Sequence, residues 1–564
     1  MKKTILALVL PSVLALSVKA DVLTVGSIAD TDCDFNSIQT ALDSGASFMD
    51  IRVTNQQVYA AVSILDKDVE ALTGGFDTCA AADLNQRVQN YTASEISGND
   101  NNFAIYIDYD TQIFRTINIS GFNLHSGIPS GLQVRSSGNT TSLVVNITET
   151  SIYDNADHGL EIIGQFSQVD FQGSIYNNIN SSEEIIRGAG VYCSNGIFTL
   201  RENSAIYNNI ASLGGGVYTS GCDVTLLAGD NKSLDSLEYG IFNNHAFAYG
   251  GGVRFDDSNV VAFGSSDNPV SISNNTSEKN GAGIYLSSGN FLEFVNARID
   301  GNVATLGGGG LYMLNSSGDS VDKSEFKISQ LVDGCHYAEI CSSISFNKAL
   351  GTSANYGGGA FMAIGLNDLY IYQTLLKGDQ AYRGAVYHGK NSVNMVMEGN
   401  LIIDSKKDDT SSLALSLFTT EGLTNTEMSY STIANNNVIY ITRNNDAQSY
   451  VLNLNKVIIF DENDTSILSA SNNTQVNVNC SILHNDTAVD YSDADTVIAM
   501  PGIIGNGNYK LLADSIAINP ACTNDSIPAY EDIRAQDRLI DGDADIGAYE
   551  SLIIDDVIFN TGFE

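Results

Sequence analysis

The chain has 564 residues, of which 27 are Lys or Arg and 66 are Asp or Glu, so its formal net charge at neutral pH is −39. This charge excludes a nucleic-acid-binding protein, because phosphate recognition needs clustered cations. Charged residues make up 16% of the chain and hydrophobic residues 43%, which excludes a disordered acidic protein. Trp is absent, and short runs rich in Val, Ile, Thr, Ser and Asn predict an all-β protein.

The first 20 residues have the pattern of a secretory signal peptide. Lys2 and Lys3 precede an apolar stretch, and small residues allow cleavage after Ala20. No later apolar run is long enough to span a bilayer, so we expect no transmembrane segment. The short MKKT leader is typical of bacteria, and we expect a bacterial protein that is exported to the cell surface or the extracellular medium.

An exported chain can form disulfides, because its destination is oxidising. The order of the eight cysteines along the chain suggests four pairings, although sequence alone leaves other connectivities open. The third suggested pair would close a surface loop that carries His336. The suggested pairs are Cys33 with Cys79, Cys193 with Cys222, Cys335 with Cys341, and Cys480 with Cys522.

A short amphipathic helix is predicted near the mature N-terminus, within Asp34–Asp43. Ile38, Ala41 and Leu42 lie at helical spacing there, and Gly45 follows as a stop signal. The apolar runs that follow predict the first strands. We therefore expect residues 21–95 to form a cap and the first coils of the repeat that comes next.

The centre of the chain is a repeat. The tetrapeptide Ile-x-x-Asn recurs roughly every 23 to 35 residues, which is the period of a solenoid. A glycine cluster and an aromatic residue follow most of the middle copies. The copies begin at Ile152, Ile175, Ile206, Ile241, Ile272, Ile299, Ile344, Ile433 and Ile482.

Each repeat is too short for a helix pair, and the period-two alternation of its segments predicts one coil of short strands. Stacked coils would place Ile206, Ile241 and Ile272 in one buried file. The Asn tolerates the left-handed backbone of a sharp corner, and its amide can bond to the Asn of the next coil. Glycine permits a close approach at a second corner. The pattern predicts a parallel β-helix over residues 96–520, with about 14 coils.

These motifs also resemble a known family. The capping sequence SIQTAL, the run GGFDTC and the tandem IxxN and GGGVY coils resemble the pectin-lyase-like right-handed parallel β-helix superfamily. The GGGVY and IFNN units resemble repeats of polymorphic outer-membrane protein passengers. The resemblance implies an all-β, single-stranded right-handed parallel β-helix with a short N-terminal capping helix. That fold hosts lyases, hydrolases, adhesins and capsid spikes, so it leaves the function open.

Residues 521–564 are predicted to be a closing or sorting segment. The run Leu511–Ile518 and the run Asp545–Glu550 resemble the module called choice-of-anchor Q, which follows such β-helices in secreted bacterial proteins. Asp541, Asp543 and Asp545 resemble part of a calcium loop. The glycine falls one position late for such a loop, so a turn in the cap is the alternative, and no other cofactor is indicated.

Arg254, Asp256 and Asp257 are the catalytic candidates. Alternation along Val253–Asp256 places Arg254 and Asp256 outward together. The pair could grip an acidic sugar or act in its cleavage. Alternatively, Arg254 stacks between the tyrosines of the neighbouring coils and pairs with Asp256 as a structural contact.

An exterior column of aromatic residues is predicted after the glycine clusters. Aromatic faces stack on pyranose rings, so the column could bind a glycan, but aromatic ladders also stabilise parallel sheets. The column comprises Tyr192, Tyr218, Tyr285, Tyr312, Phe361 and Tyr387.

Two functions follow from these features. The first is a non-catalytic β-helix protein, secreted or displayed on the cell surface, whose rigid face binds a polysaccharide or the surface of a host or neighbouring cell. The alternative is a polysaccharide lyase or glycoside hydrolase that acts on an acidic polysaccharide, with Arg254, Asp256 and Asp257 in the active site.

Overall fold

The structure is a computed structural model. The residues it describes are 20–88, 90–99, 102–110, 114–138, 142–179, 186–227, 239–265, 268–287, 289–316, 320, 322–330, 342–353, 355–391, 393–405, 418–421, 424–434, 439–441, 450–460, 468–470, 474–483, 497–498, 503–505, 508–511, 515–518, 532–533 and 545–548. The predicted leader, apart from Ala20, and the predicted pair of Cys335 and Cys341 lie outside these residues.

The chain winds in coils, and each central coil contributes one strand to each of four sheets. In one coil, sheet 1 contains Val191–Ser194, sheet 2 Ile197–Leu200, sheet 3 Ala205–Tyr207 and sheet 4 Ile210–Leu213. A glycine cluster then leads to sheet 1 of the next coil at Val217–Ser220. Neighbouring coils pair in parallel in all four sheets, and the fold is the predicted right-handed parallel β-helix.

Two strands are long enough to belong to both sheet 2 and sheet 3, which joins these sheets into one. Sheet 1 contains Val62–Leu65, Ile105–Tyr109, Ser130–Ser136, His158–Ile163, Val191–Ser194, Val217–Ser220, Val253–Asp256, Ile284–Leu286, Leu311–Leu314, Phe361–Ile364, Tyr387–Lys390 and Phe418–Glu421. Sheet 2 contains Asp21–Val25, Met49–Thr54, Val69–Phe76, Arg115–Ser120, Leu143–Tyr153, Ser167–Tyr176, Ile197–Leu200, Asp223–Leu226, Asn259–Phe263, Phe291–Val295, Ser324–Ser329, Asn367–Tyr372, Val393–Glu398, Thr424–Ser429, Tyr450–Asn455 and Thr474–Asn479.

The remaining strands complete the coils. Sheet 3 contains Val58–Ala60, Ser94–Ser97, Phe122–His125, the second halves of Leu143–Tyr153 and Ser167–Tyr176, Ala205–Tyr207, Gly240–Phe242, Val270–Ser273, Ala297–Asp300, Ser343–Ser345, Leu375–Lys377, Leu401–Ile403, Thr432–Ala434, Ile458–Phe460, Ile482–Leu483 and Val497–Ile498. Sheet 4 contains Ile210–Leu213, His245–Tyr249, Thr276–Ser277, Val303–Ala304, Lys348–Ala349 and Gln380–Ala381. Ile439–Ile441 pairs with Leu468–Ala470 in parallel, and Ile503–Gly505 pairs with Asn508–Leu511 in antiparallel fashion.

The isoleucines of the repeat stack in one file inside the coil. Ile206 pairs with Ile241, which pairs with Ile272, and each is at most 1% exposed. The file confirms the prediction from the tetrapeptide. Full burial of each side chain stabilises the stack by about 1.5–3 kcal/mol relative to an exposed one.

The asparagines of the repeat form a buried ladder at the corner between sheets 3 and 4. In a typical step, Asn244 Oδ1 accepts hydrogen bonds from the main-chain N and from Nδ2 of Asn209, both at 3.0 Å. The left-handed residue of the corner is the one before, such as Asn208 with a φ of 55°. The two tasks that the sequence assigns to one Asn are therefore divided between adjacent residues.

The N-terminal end is capped as predicted. The helix Ile38–Leu42 buries its apolar side chains against the first coil. The disulfide between Cys33 and Cys79 fastens this cap. A second helix, Cys79–Asp83, was not predicted; it begins after Thr78, whose side chain accepts a hydrogen bond from the backbone of Ala81.

The described residues of the C-terminal segment, 532–533 and 545–548, pack along the side of the later coils, at and beside the corner of sheets 2 and 3. The buried amides of Gln330 and Gln373 donate to the backbone carbonyls of Ile533 and Asp532, at 3.1 and 3.0 Å. Ile533 also packs in an apolar cluster on the outer face of sheet 3. Within the described residues, no helix has the length and apolarity needed to cross a membrane.

The other predicted disulfides have different outcomes. The bond between Cys193 and Cys222 is confirmed; it joins two successive coils inside the β-helix. Cys480 is disulfide-bonded, while its suggested partner Cys522 lies outside the described residues.

Asp379 takes the place of an asparagine in the ladder. Its Oδ1 accepts from the main-chain N and Nδ2 of Asn347, at 2.9 and 3.1 Å. Its Oδ2 has no hydrogen-bond partner among the described residues. In an asparagine of the ladder this position is Nδ2, which donates to the Ile carbonyl of the preceding coil, as Asn347 Nδ2 does to Ile299. Burial raises the pKa of Asp379 well above its ordinary value, and the charge of Asp300 adds to this effect. Burial therefore favours the neutral acid over the carboxylate at this position.

The variant Asp379→Asn is expected to be more stable than the native chain at neutral pH, by on the order of 1 kcal/mol or more. Above about pH 4 the unfolded carboxyl releases its proton while the folded one keeps it, so native stability falls as the pH rises. Asn does not titrate, so its advantage grows with pH and vanishes at acidic pH. Urea unfolding across this range measures the difference; a constant difference would contradict the neutral acid.

Candidate functional site

The outward side chains of sheet 1 form a single column beside the corner with sheet 4. Strand register aligns Tyr192, Tyr218, Arg254, Tyr285 and Tyr312 along it. Val253 and Phe255, on either side of Arg254, are fully buried in the core. The predicted outward placement of Arg254 among tyrosines is therefore confirmed.

Two predicted members of the column are wrong. Phe361 lies in register with Leu311, on the inward side of sheet 1, and Tyr387 follows it. Phe361 is 1% exposed and Tyr387 is 0% exposed, and both belong to the central core. Met362 and His388 occupy the outward positions instead.

The reason is a one-residue difference in spacing. In the regular coils the aromatic residue is the fourth after a left-handed glycine, as Tyr312 is after Gly308 with a φ of 65°. Phe361 is only the third residue after Gly358, whose φ is 71°, and Tyr387 has the same short spacing. Because side chains alternate along a strand, one residue of difference moves the aromatic ring from the outer face to the core.

The rings of the column cover one another. Tyr285 and Tyr312 stack with centroids 5.2 Å apart, and Tyr192 and Tyr218 with centroids 5.7 Å apart. Tyr218, Tyr285 and Tyr312 are only 3–5% exposed. A pyranose ring needs a free aromatic face, so the inner tyrosines have none to offer. Their stacking supports the structural alternative, and contact with a glycan at their edges stays a prediction.

Arg254 is held by a complete network. Its Nε and Nη2 donate to the two carboxylate oxygens of Asp256, each at 3.0 Å. Asp256 also accepts from Tyr218 Oη at 2.7 Å and from Ser287 Oγ at 2.6 Å. The guanidinium carbon lies 5.0 Å from the centroid of the Tyr285 ring. This geometry is the structural contact that the sequence offered as an alternative to catalysis.

The candidate acids and the candidate base lie in different surroundings. Asp257 is exposed at the next corner, with a φ of 50°, whereas Asp256 is engaged by Arg254. Burial lowers the pKa of Arg254, but the hydrogen bonds and charge of Asp256 outweigh it and raise that pKa overall. Burial raises the pKa of Tyr285 to about 12. A general base must be unprotonated before it acts, so neither Arg254 nor Tyr285 is prepared for that role.

His388 is also unsuited to carry a charge. It is 0% exposed, and neither ring nitrogen has a hydrogen-bond partner among the described residues. Burial, helped by the positive charges of Lys390 and Arg383, lowers the pKa of His388 to about 3. The ring is therefore neutral over the physiological range.

Three cations line the sheet 4 side of the same corner. Arg187, Lys279 and Arg383, here called the cationic row, form no ion pair within the described residues. Arg187 and Lys279 are exposed, and Arg383 is half-buried. Arg187 lies 5.5 Å from the ring of Tyr218, and Lys279 lies 5.4 Å from that of Tyr249. Successive members are three coils apart, or roughly 14 Å at the spacing of stacked strands.

A second aromatic ladder was missed by the sequence interpretation. On the outer face of sheet 3, Tyr153, Tyr176, Tyr207 and Phe242 stack at centroid distances of 5.0–5.1 Å. The signal was present, since each of these residues directly follows the Ile of an Ile-x-x-Asn copy. The tyrosines of this ladder are half-buried, and their inner ring faces are again covered by their neighbours.

Comparisons with known proteins give little beyond the fold. No protein-family model matches the chain, and no curated protein matches its sequence. Among solved structures, the chain is similar to the crystal structure of pectate lyase Pel9A, at 10% identity over 95% of this chain and 97% of that one. The TM-score is 0.24, too low to carry an argument. The assignment of the β-helix therefore rests on the strand pairing of the chain itself.

The predicted calcium loop is described only in part. Asp541 and Asp543 lie outside the described residues, and Asp545 is buried at 1% exposure. Its neighbour Ile546 packs against the outer face of sheet 3. A calcium site at this loop stays a prediction.

Replacing Asp256 with Asn is expected to destabilise the fold by about 2–3 kcal/mol, because it leaves the half-buried Arg254 charge without its partner. The matched control is Asp257→Asn, at the exposed neighbouring position, where Asn tolerates the left-handed backbone and the change should stay within about 0.5 kcal/mol. Thermal unfolding of both variants compares them. Equal stabilities would contradict the structural role of the Arg254 network.

Proposed function

We propose that the chain is a non-catalytic protein of the cell surface or extracellular medium that binds an anionic polysaccharide along the corner of sheets 4 and 1. The observation that carries the proposal is the cationic row. In a chain with 66 acids and 27 bases, most cations would be expected to pair with acids. Arg187, Lys279 and Arg383 instead share one corner and have no ion pair among the described residues.

In this proposal the tyrosines hold the side chains of the cationic row in place and do not bind the ligand themselves. Rings beside Arg187 and Lys279 provide cation–π contacts that hold these flexible side chains near the corner. Carboxylate or sulfate groups of an extended polymer can then reach successive cations along the coil axis. The affinity of such binding comes mainly from charge, so it should fall steeply with salt.

The geometry of Arg254 favours binding over cleavage. The carboxylate of Asp256 accepts from Nε and Nη2 of Arg254 and from the hydroxyls of Tyr218 and Ser287, so it is fully engaged. Elimination from a uronate requires a base free to take a proton. We therefore propose binding, and the experiment below also measures cleavage by a lyase or hydrolase mechanism.

Secretion and surface display belong to the same proposal. The leader-like residues 1–20 and the disulfides Cys33–Cys79 and Cys193–Cys222 support an oxidising destination. The likeness of the coils to polymorphic outer-membrane protein passengers suits adhesion to a host or neighbouring cell. The likeness of the C-terminal segment to choice-of-anchor Q suits attachment at the surface.

Replacing Arg187, Lys279 and Arg383 together with Gln should weaken binding to polygalacturonate and chondroitin sulfate by about tenfold or more, and should reduce the salt dependence. Biolayer interferometry on the native chain and the variant, at several salt concentrations, gives both quantities. Ultraviolet absorbance and a reducing-end assay on the same polymers report lyase and hydrolase products, of which we expect none.

The matched control replaces Lys323, Lys327 and Lys377 with Gln, which removes the same charge from the outer faces of sheets 2 and 3. This control should retain the affinity of the native chain to within about threefold. If both variants lose affinity equally, net charge alone explains the binding, and the cationic row is not the binding site. Product formation that Arg254→Gln abolishes would establish catalysis instead.

A further inference from the structure

The described part of the chain has a groove on its outer surface, at a different corner of the coil from the Arg254 network. The groove has a volume of about 470 Å³, in the range of small-molecule sites. It lies where sheet 2 meets sheet 3, across four successive coils. Its polar lining residues are Asn146, Thr148, Asp170, Gln172, Arg201 and Glu202.

The groove lies where the corner between sheets 2 and 3 differs in length between neighbouring coils. Between Ile147 and Thr150 the strand Leu143–Tyr153 carries an extra residue relative to its partner, which is a β-bulge. Two coils later, the connection between Ile197–Leu200 and Ala205–Tyr207 is longer still. The extra residues of these two corners change the backbone path beside the shorter corner of Ser167–Tyr176.

An ion pair forms one wall of the groove. Arg201 donates from Nε and Nη2 to the two carboxylate oxygens of Asp170. The side chain of Asp170 is 14% exposed, whereas that of Arg201 is 52% exposed and reaches into solvent. Both oxygens of Asp170 are engaged by a cation, so this carboxylate is not available to bind a metal ion. The second nitrogen of the guanidinium fork, Nη1, remains available as a donor.

The opposite wall offers oriented acceptors. Asn146 Nδ2 donates to Asn118 Oδ1 at 2.9 Å, which fixes the amide and leaves Asn146 Oδ1 as an acceptor on the groove side. Thr148 and Glu202 are exposed and add a hydroxyl and a carboxylate. Donors and acceptors therefore alternate around the groove. The charges of Asp170 and Arg201 cancel, so Glu202 gives the groove a net negative charge.

We propose that this groove binds an uncharged saccharide unit through its hydroxyl groups. A hydroxyl both donates and accepts, so it matches a wall of alternating amide, carboxylate and guanidinium groups. The net negative charge disfavours a uronate or a sulfated sugar, and the engaged Asp170 disfavours a metal ion. This site has the opposite charge preference to the cationic row, and it stands independently of the proposed function.

Saturation-transfer NMR on the full mature chain, with cellobiose, maltose and lactose in the millimolar range, tests the proposal. We expect transfer to at least one of these disaccharides, and its loss or an affinity about tenfold lower in Arg201→Gln. Thr148→Trp, which fills the groove from an exposed position without touching the ion pair, should have the same effect. This second variant keeps the test valid if Arg201→Gln does not fold.

The matched control is Lys327→Gln, which removes a cation that bridges coils on the same sheet through its ion pair with Glu293, at 2.8 Å. It should bind the disaccharide as the native chain does, and so should the triple variant of the cationic row. Absence of binding by all three sugars would overturn the proposal, and so would binding that survives both groove variants. Tighter, Arg201-dependent binding of digalacturonate would overturn the assignment to an uncharged ligand.

Discussion

Parallel backbone pairing between successive coils is the constraint on which the rest of this structure depends. It places every side chain directly above its counterpart, at about 4.8 Å, so each position along the coil becomes a file of neighbours. Ile206, Ile241 and Ile272 form such a file in the core. The asparagine ladder satisfies the polar corner in the same way, each amide bonding to the next. A side chain fits only where its file is compatible with it.

The spacing of about 4.8 Å between coils restricts which charged side chains can follow one another along a file. Two like charges one coil apart would repel, whereas rings, amides and ion pairs can follow one another along a file. On the outer faces Arg254 lies between tyrosines and Glu293 pairs with Lys327. Inside the asparagine ladder, burial disfavours the charged form of Asp379. The members of the cationic row are three coils apart, far enough that solvent screens their repulsion.

Sequence predicts the properties that repeat, and fails where one coil departs from the rest. The period of Ile-x-x-Asn was sufficient to predict the fold, the buried isoleucine file and the asparagine ladder. The placement of Phe361 and Tyr387 was wrong because side-chain direction depends on distance from the left-handed glycine, which the motif GGGAF does not mark. The groove beside Arg201 could not be predicted at all, since it arises from the differing corner lengths of three coils. The docking of Ile533 against the coils depends on contacts distant in sequence.

In the proposed function, the stacked coils hold an extended polymer without changing it. Catalysis concentrates several groups on one bond and needs at least one of them to change protonation, whereas the groups around Arg254 satisfy one another. Binding of an extended polymer distributes weak contacts along the axis, and each contact raises the effective concentration for the next. Cations about 14 Å apart on an unyielding scaffold lose little entropy when a stiff polyanion lies along them. In the proposed function, the regular spacing of the coils is the property that makes multivalent contact with a polymer efficient.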